Sequence, residues 1–373
     1  MRKKRVLLLS EGFGSGHTQA AHAISDGLRQ LSSGIMTRVM ELGAFQHPTI
    51  APLIFSAYRK TVTSQPKLYG MLYRHQYKKS LNRVLQMALH RIFYARTANI
   101  IRQLRPDMIV CTHPFPNVVV SRLKRSGLSV PLCTVITDYD AHGTWISQSV
   151  NQYLVSTDSV KAKLIGRGVP AQQIVVTGIP IHPNFWETDP NKEEIRARFG
   201  LKEMPTALIM GGGWGLINNE ELLHYATRWR DKIQLIFCMG SNEKARQKLA
   251  EDERFKHPNV HLLGFTKEID KLMDVSDLLI TKPGGMTCTE GMAKGIPMLF
   301  YSPIPGQEEE NCHYFIANGF GDQLDSPGTI DIWFERLLRE YPDFVSRHRD
   351  FLRQQSLSYS PQQCSQAIMA LLQ

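Results

Sequence analysis

The sequence predicts an α/β protein made of two doubly wound domains, each a parallel sheet covered by helices. Three observations predict it. Short β-rich apolar runs alternate with helical patterns along nearly all of the 373 residues. The runs are too many for one comfortable sheet. A stretch rich in Pro, Asn and charge, HPNFWETDPNKEE from His182 to Glu194, divides them into two groups. The reading places an N-terminal Rossmann-like domain over 1–182, containing a basic segment over 42–106, and a C-terminal Rossmann-like domain over 183–360. A closing amphipathic helix over 361–373 can return to the N-terminal domain.

The expected strands of the first domain are KRVLLLS, MTRVMEL, DMIVCTH, PLCTVITD, QYLVS and IVVTG, in that order. Those of the second are TALIMGGG, IQLIFCMG, VHLLGF, DLLITKPGG and IPMLFYSP. In the first helix, Ala20, Ile24, Leu28 and Leu31 recur at helical spacing and share one face. The hydrophobic content of 42% suits a globular chain of this length. No apolar run approaches the length of a membrane-spanning helix. The N-terminal MRKKRVLLLSEG starts positive, but its apolar run is too short for a signal peptide and no small-residue cleavage site follows. It reads as the first strand of the mature protein. The six cysteines form no C-x-x-C pair and sit in apolar runs, as buried reduced thiols of a cytosolic protein do. No zinc-type ligand spacing is present.

The net charge is +10, and its location matters more than its size. From Leu42 to Pro106 there is no Asp or Glu, while that window holds eleven Lys and Arg. Arg59, Lys60, Arg74, Lys78, Lys79 and Arg83 lie among them, interleaved with Phe55, Tyr58, Tyr69, Tyr73, Tyr77, Phe93 and Tyr94. Cations near an anionic bilayer contribute about 1 kcal/mol each within a Debye length. Aromatic rings at headgroup level add to that. The segment is therefore expected to dock on an anionic membrane surface. A solvated basic face ranks second, and nucleic acid, for which no motif is visible, a distant third.

In an open parallel sheet, ligands bind beyond the carboxyl ends of the strands, so the residues just after each strand carry the chemistry. The first such loop is EGFGSGH. Gly14, Ser15 and Gly16 bring backbone and a helix start close to a ligand. A dinucleotide fingerprint would have glycine where His17 stands. Glu41, ending the second strand, could imitate the ribose-binding acid of a dehydrogenase, so that reading survives in weakened form. At a helix N-terminus an imidazole stays neutral and can act as a general base. The second loop, IMGGGWG, offers Gly212 and Gly213 either to a phosphate or to a tight turn needing positive φ. The third, ITKPGGMTCTEGMAKG, places Pro283, Gly284 and Gly285 before a helix near Thr287. There Thr287 and Glu290 have capping-box spacing, a structural alternative to ribose binding by Glu290. A final loop, PIPGQEEEN, groups Gln307, Glu308 and Asn311, which suit sugar hydroxyls or a solvated helix start.

GFGSGHTQAA, VITDYDAHGTW, TGIPIHPNF, MGGGWG, LGFTKEIDKLMDVSDLLITKPGGMTCTEGMAKGIPM and PIPGQEEEN occur in this order. Together they resemble the monogalactosyldiacylglycerol synthase and bacterial processive diacylglycerol glucosyltransferase family, related to the lipid-linked muropeptide GlcNAc-transferase. The resemblance runs over nearly the whole chain, most strongly from Leu262 to Asn311. It implies the GT-B fold, two Rossmann-like domains facing across a cleft. It also implies inverting transfer of a hexose from a UDP-sugar to a membrane-lipid hydroxyl, diacylglycerol above all, on the inner face of the cell membrane. By the resemblance His17 matches the acceptor base; Asp138, expected to be catalytic with it, and Trp145 fall in a segment facing the acceptor. Phe265 follows the strand whose backbone meets the uracil. Gly284, Gly285 and Thr287 match the diphosphate loop, Glu290 the ribose carboxylate, and Gln307 and Glu308 the sugar-hydroxyl pair. His182, where the family commonly has Arg, and Trp214, where a smaller or polar residue is frequent, depart from the pattern.

Inversion requires a deprotonated hydroxyl, which His17 can supply, and a stabilised UDP leaving group, which the loop N–H groups and the helix dipole near Thr287 can supply. The reading therefore expects no metal and no cofactor beyond the UDP-sugar co-substrate. Asp138 and Asp140 spell D-x-D but are not read as a metal site. Two rivals remain open, a UDP-sugar 2-epimerase on the same scaffold and a non-catalytic binder of nucleotide sugar or lipid.

Overall fold

The structure is a computed structural model. It describes residues 2–64, 96–215, 217, 220–341, 343, 347, 349–350, 352, 354, 360 and 362–372. Contacts divide the chain into two compact units. The first comprises Met1–Pro183, Ile304–Gln307 and Tyr359–Gln373; the second comprises Asn184–Pro303 and Glu308–Ser358.

The first unit is built on strands β1 (Lys4–Ser10), β2 (Ile35–Glu41), β3 (Met108–Cys111), β4 (Leu132–Val135), β5 (Gln152–Val155) and β6 (Ile174–Val176). Their order across the sheet is β2-β1-β3-β4-β5-β6, and every neighbouring pair is parallel. Parallel neighbours need crossover helices, so both faces of the sheet are covered and its inner strands read as unbroken apolar runs. In β1, Val6, Leu7, Leu8 and Leu9 are each at most 2% exposed. The crossovers are α1 (Ser15–Leu31), α2 (Leu42–Gln46), α3 (Ala51–Ser64), α4 (Thr97–Leu104), α5 (Pro114–Arg125) and α6 (Asp158–Gly166). Leu7, Leu9, Ile109 and Trp145 pack on one face. Val6, Leu8, Val110, Cys133 and the α1 residues Ala21, Ile24 and Leu28 pack on the other.

In the second unit, helices α7 (Lys192–Phe199), α8 (Glu220–Ala226), α9 (Glu243–Glu251), α10 (Ile269–Asp274), α11 (Gly285–Lys294), α12 (Gln307–Ala317) and α13 (Pro327–Glu340) accompany β7 (Thr206–Met210), β8 (Gln234–Cys238), β9 (Val260–Leu263), β10 (Leu278–Thr281), β11 (Met298–Phe300) and β12 (Gly321–Gln323). The strand order is β12-β11-β10-β7-β8-β9, again all parallel. Read from the other edge, this is the 3-2-1-4-5-6 order of a dinucleotide-type fold. The sequence reading missed β12. Its three residues, Gly-Asp-Gln, carry no apolar signature, because the strand pairs only with β11 at the sheet edge. A Cβ on Gly321 would fall 1.8 Å from the Met298 carbonyl oxygen, so close backbone approach, not hydrophobicity, selects its residue there.

The last helix, α14 (Gln363–Leu372), packs against α1 in the first unit, with Cys364 and Ile368 in the α1 face of the core. The approach is close, and a Cβ on Gly27 would strike the Ser365 hydroxyl. All six cysteines are free and buried, as the reduced-thiol reading expects.

One buried ion pair joins three parts of the second unit. Lys294, in the last turn of α11, donates to Asp274 Oδ2 at 2.8 Å, and both side chains are 1% exposed. The same ammonium donates to the Glu187 carbonyl at 2.6 Å, and Asp274 Oδ2 accepts from the Asp189 backbone at 3.3 Å. Arg349 adds bonds to the carbonyls of Asp274 and Ser276. The pair thus ties the 187–189 segment to α10 and α11. Removing one buried partner leaves the other charge unpaired, which costs about 3–5 kcal/mol, whereas replacing both with apolar residues is often neutral. Lys294→Ala is expected to lower stability by about that amount in urea unfolding, and Lys294→Met with Asp274→Leu to recover most of it. A single variant as stable as wild type would contradict this assignment.

Candidate functional site

Each sheet has one point where its strand order reverses, and there the flanking helices part and leave room for a ligand. In the first unit the point lies between β1 and β3, in the second between β7 and β10.

In the first unit, β1 ends at Ser10 and α1 starts at Ser15, with Gly14 as its N-cap and no side chain capping it. A Cβ on Gly14 would meet nothing within 4 Å, so the helix head faces open space. Glu11, 1% exposed, turns inward and accepts the Gly43 N–H at 2.8 Å, which fixes the loop. His17 is half-buried. Its Nδ1 lies 2.7 Å from the Thr137 hydroxyl just beyond β4, and its ring is hydrogen-bonded to the Thr112 backbone just beyond β3. Burial holds its pKa down at about 4, against a smaller upward pull from the Thr112 bond. The ring is therefore neutral over the physiological range.

Two further histidines stand with it. His113 meets the His17 ring edge-on at 4.7 Å, and its Nδ1 accepts the Phe115 N–H at the head of α5. Burial, and then the neighbouring His17 and His142, keep it well below the usual imidazole range. His142 is bonded through Nδ1 to the Thr144 hydroxyl, and burial lowers its pKa to about 4 despite the Asp140 charge. Trp145 is fully buried, with its ring 6.1 Å from those of His17 and His142. Asp138, 7% exposed, accepts from the Gln307 side-chain amide at 2.7 Å. Asp140 pairs with Lys163 at 2.7 Å, so both D-x-D carboxylates are engaged by protein groups.

In the second unit, α11 begins at Gly285 with Gly284 as N-cap and again no side-chain cap. A Cβ on Gly284 would also meet nothing within 4 Å. Just before it, Lys282 is a 9% exposed cation whose pKa is lowered by burial and supported by the Glu308 charge. Uncapped N–H groups beside a buried ammonium form a binding place for a phosphate-like anion. Glu290 lies one and a half turns into α11 and is partly exposed; burial, then the Asp270 charge, raises its pKa to about 7. Beyond β7, Gly212 and Gly215 have φ of 69° and 60°, and the Gly215 N–H closes a turn on the Gly212 carbonyl at 2.9 Å. The Gly213 carbonyl accepts from Ser241, so this loop is braced against the one after β8. Phe265, beyond β9, is 63% exposed.

Several sequence expectations change in this light. Thr287 and Glu290 do not form a capping box, because the helix starts earlier, at Gly285, and Thr287 lies inside it. Trp145 does not face an acceptor or lipid surface; it is core, and its carbonyl accepts from Asn117 at 2.8 Å. Asn311 is fully buried and bonds the Pro283 carbonyl at 3.0 Å, which shapes the loop instead of presenting a side chain to a ligand. Glu41 accepts the Thr18 hydroxyl at 2.8 Å, so the carboxylate a dehydrogenase would use supports α1. Gly212 and Gly213 serve the turn. Gly14, Ser15, Gly16 and His17 come together at one switch point, and Gly284, Gly285, Thr287, Glu290 and Glu308 at the other. Lys60 is exposed on α3. The Arg59 side chain and the residues Arg74, Lys78, Lys79 and Arg83 lie outside the described residues. Sequence reasoning missed His113, His142, Thr137 and Lys282, although three of them directly follow strand ends, where such groups were sought.

Residues 17–181 match the monogalactosyldiacylglycerol (MGDG) synthase family, and residues 191–321 match glycosyl transferases group 1. A processive diacylglycerol beta-glucosyltransferase of Bacillus cereus (strain B4264) is 33% identical over 343 residues, covering 91% of this chain and 87% of that protein. Among solved structures, Acinetobacter baumannii MurG superposes with a TM-score of 0.62 at 17% identity over 99% of both chains. Anabaena Alr3699/HepE in complex with UDP-glucose gives 0.62 at 14% identity, also over 99% of both. Both likenesses agree with the two-sheet GT-B architecture.

The shifted groups make opposite stability predictions. His17 and His142 have folded pKa values near 4, below the ordinary 6.5, so unfolded chains take up their protons first. Stability is expected to fall as pH drops from 6.5 towards 4. Glu290, raised from 4.5 to about 7, is expected to cost stability as pH rises across that interval. Urea unfolding as a function of pH checks both, with His142→Gln reducing the acid slope and Glu290→Gln reducing the neutral one. Slopes identical to wild type would remove these assignments.

Proposed function

The chain belongs to the monogalactosyldiacylglycerol synthase and processive diacylglycerol glucosyltransferase family, and from this premise we propose that it transfers a glucosyl group from UDP-glucose to the free hydroxyl of diacylglycerol, with inversion. The observation that carries the chemistry is His17, held neutral at the head of α1 among groups from two further strand ends. In the transfer, the acceptor hydroxyl gives its proton to His17 as its oxygen attacks the anomeric carbon. The bond from that carbon to the diphosphate breaks, and UDP leaves with the electron pair. The α11 head and Lys282 meet the charge that develops on the leaving diphosphate. Glu290 accepts hydrogen bonds from the ribose, the backbone near Phe265 meets the uracil, and Gln307 and Glu308 bind sugar hydroxyls. Asp138 orients the acceptor side through its bond to Gln307.

Among the described residues, no helix is long and apolar enough to cross a membrane. The acid-free segment from Leu42 to Pro106 supports a peripheral place on an anionic surface, the inner face of the cell membrane in this reading.

The deciding experiment is UDP release from a panel of UDP-sugars, with and without anionic vesicles containing diacylglycerol. Release from UDP-glucose that requires diacylglycerol and weakens with added salt is expected. Release without lipid, or from no sugar at all, would overturn the reading. His17→Ala should lower turnover by roughly 10²–10⁴ while UDP binding stays near normal. Near-normal turnover would remove His17 from its role. Because Glu290 titrates near 7, UDP affinity should rise as pH increases through that value. Glu290→Gln should abolish the rise and weaken binding about tenfold or more; a retained pH dependence would point to another group.

A further inference from the structure

Three imidazoles stand at the first switch point, and a base needs a ring nitrogen with a lone pair to spare. A neutral imidazole has one N–H and one acceptor nitrogen, so its partners decide which nitrogen is which. At His113, Nδ1 accepts the Phe115 N–H at 3.2 Å, so the ring proton sits on Nε2. At His142, Nε2 lies 3.5 Å from the Gln307 amide nitrogen, which only donates. That amide is oriented by its 2.7 Å bond to Asp138 Oδ2. The His142 proton is therefore on Nδ1 and goes to the Thr144 hydroxyl. Both rings have their lone pair already engaged by an N–H of the protein.

His17 differs. Its Nδ1 lies 2.7 Å from the Thr137 hydroxyl, a group able to accept or donate. Its bond to the Thr112 backbone pulls its pKa upward, as donation from a ring N–H to a carbonyl does. The ring thus gives its one proton to the protein. Both partners are held by the sheet. Thr112 N–H bonds the Leu9 carbonyl at 3.0 Å, and Ile136 N–H, one residue before Thr137, bonds the Leu154 carbonyl at 2.9 Å. Thr137 itself is only 3% exposed.

Resting on the function proposed above, we propose that Thr137 is a positioning residue that fixes the tautomer of His17. Its hydroxyl accepts the Nδ1–H and holds the ring so that Nε2 keeps its lone pair for the acceptor. In the transfer the acceptor O–H bond breaks, an Nε2–H bond forms, and the electron pair stays on the attacking oxygen. The ring is then a cation with hydrogen on both nitrogens, and the Nδ1–H bond to Thr137 strengthens with the charge. A carboxylate in the place of Thr137 would favour the protonated ring before the acceptor arrives. An uncharged hydroxyl orients the ring and leaves the base free.

The test joins nitrogen NMR of the full chain carrying labelled histidine with transfer kinetics on UDP-glucose and diacylglycerol. The His17 signals are those lost in His17→Gln. Wild type is expected to show a protonated Nδ1 and an unprotonated Nε2 at neutral pH. Thr137→Val keeps the shape and loses the hydroxyl. It should mix the two tautomers and lower kcat about tenfold, with both KM values within about twofold of wild type. Thr137→Ser should restore the single tautomer and most of kcat. A wild-type ring with its proton on Nε2 would overturn the tautomer assignment. Wild-type kcat in Thr137→Val, or a Thr137→Ser variant as slow as Thr137→Val, would remove Thr137 from this role. If Nδ1 is protonated in a Thr137-dependent way yet no sugar is transferred, the positioning stands and the transfer reading falls.

Discussion

All-parallel strand pairing is the constraint on which the rest depends. It aligns every strand in one direction, so all carboxyl ends of a sheet lie along a single edge. Each return to the opposite edge requires a crossover, and most crossovers are helices whose positive ends sit at that same edge. The chemistry-bearing residues therefore gather there without any local signal that joins them. Thr112 follows β3, Thr137 follows β4 and His17 opens the helix after β1, yet they converge on one imidazole. In the second unit, by contrast, Lys282, the α11 head and Glu290 all follow one strand, β10.

The two switch points are built with opposite electrostatics. In the first unit three imidazoles are kept uncharged by burial, and the nearby Arg167 guanidinium lowers the His142 pKa further. An alcohol loses a proton best to a neutral base in such a setting. In the second unit a buried ammonium and a free helix head offer positive potential, which suits an anion that gains charge on leaving. The buried Lys294–Asp274 pair holds the far end of that helix, so the head is positioned by a bond ten residues away from it.

Aromatic rings surround His113 beside His17, whereas a buried ammonium and an uncapped helix head stand at the second switch point. Near the first switch point, Leu53 is exposed on α3 and Ile50 just before it, in a stretch of sequence without acids. Family membership places the same division along the chain: the lipid-synthase match ends at residue 181, and the general glycosyltransferase match starts at 191.

The sequence by itself determined the fold class, eleven of the twelve strands, the glycine-led helix starts and the place of His17. Each rests on information that is local along the chain: apolar runs, helical periodicity, and glycine where a helix must open towards a ligand. The Leu42–Pro106 charge window was legible for the same reason. Tertiary structure alone decided which histidines stand beside His17, that Trp145 is core, that Asn311 bonds a loop carbonyl, and that Lys282 is a buried cation. It also decided that Thr287 lies within its helix, which removed the capping-box reading of Glu290. These outcomes depend on burial and on contacts between residues far apart in sequence. Ile209 and Phe13 look alike as apolar letters, but only packing reveals that one is core and the other is left partly open beside an imidazole.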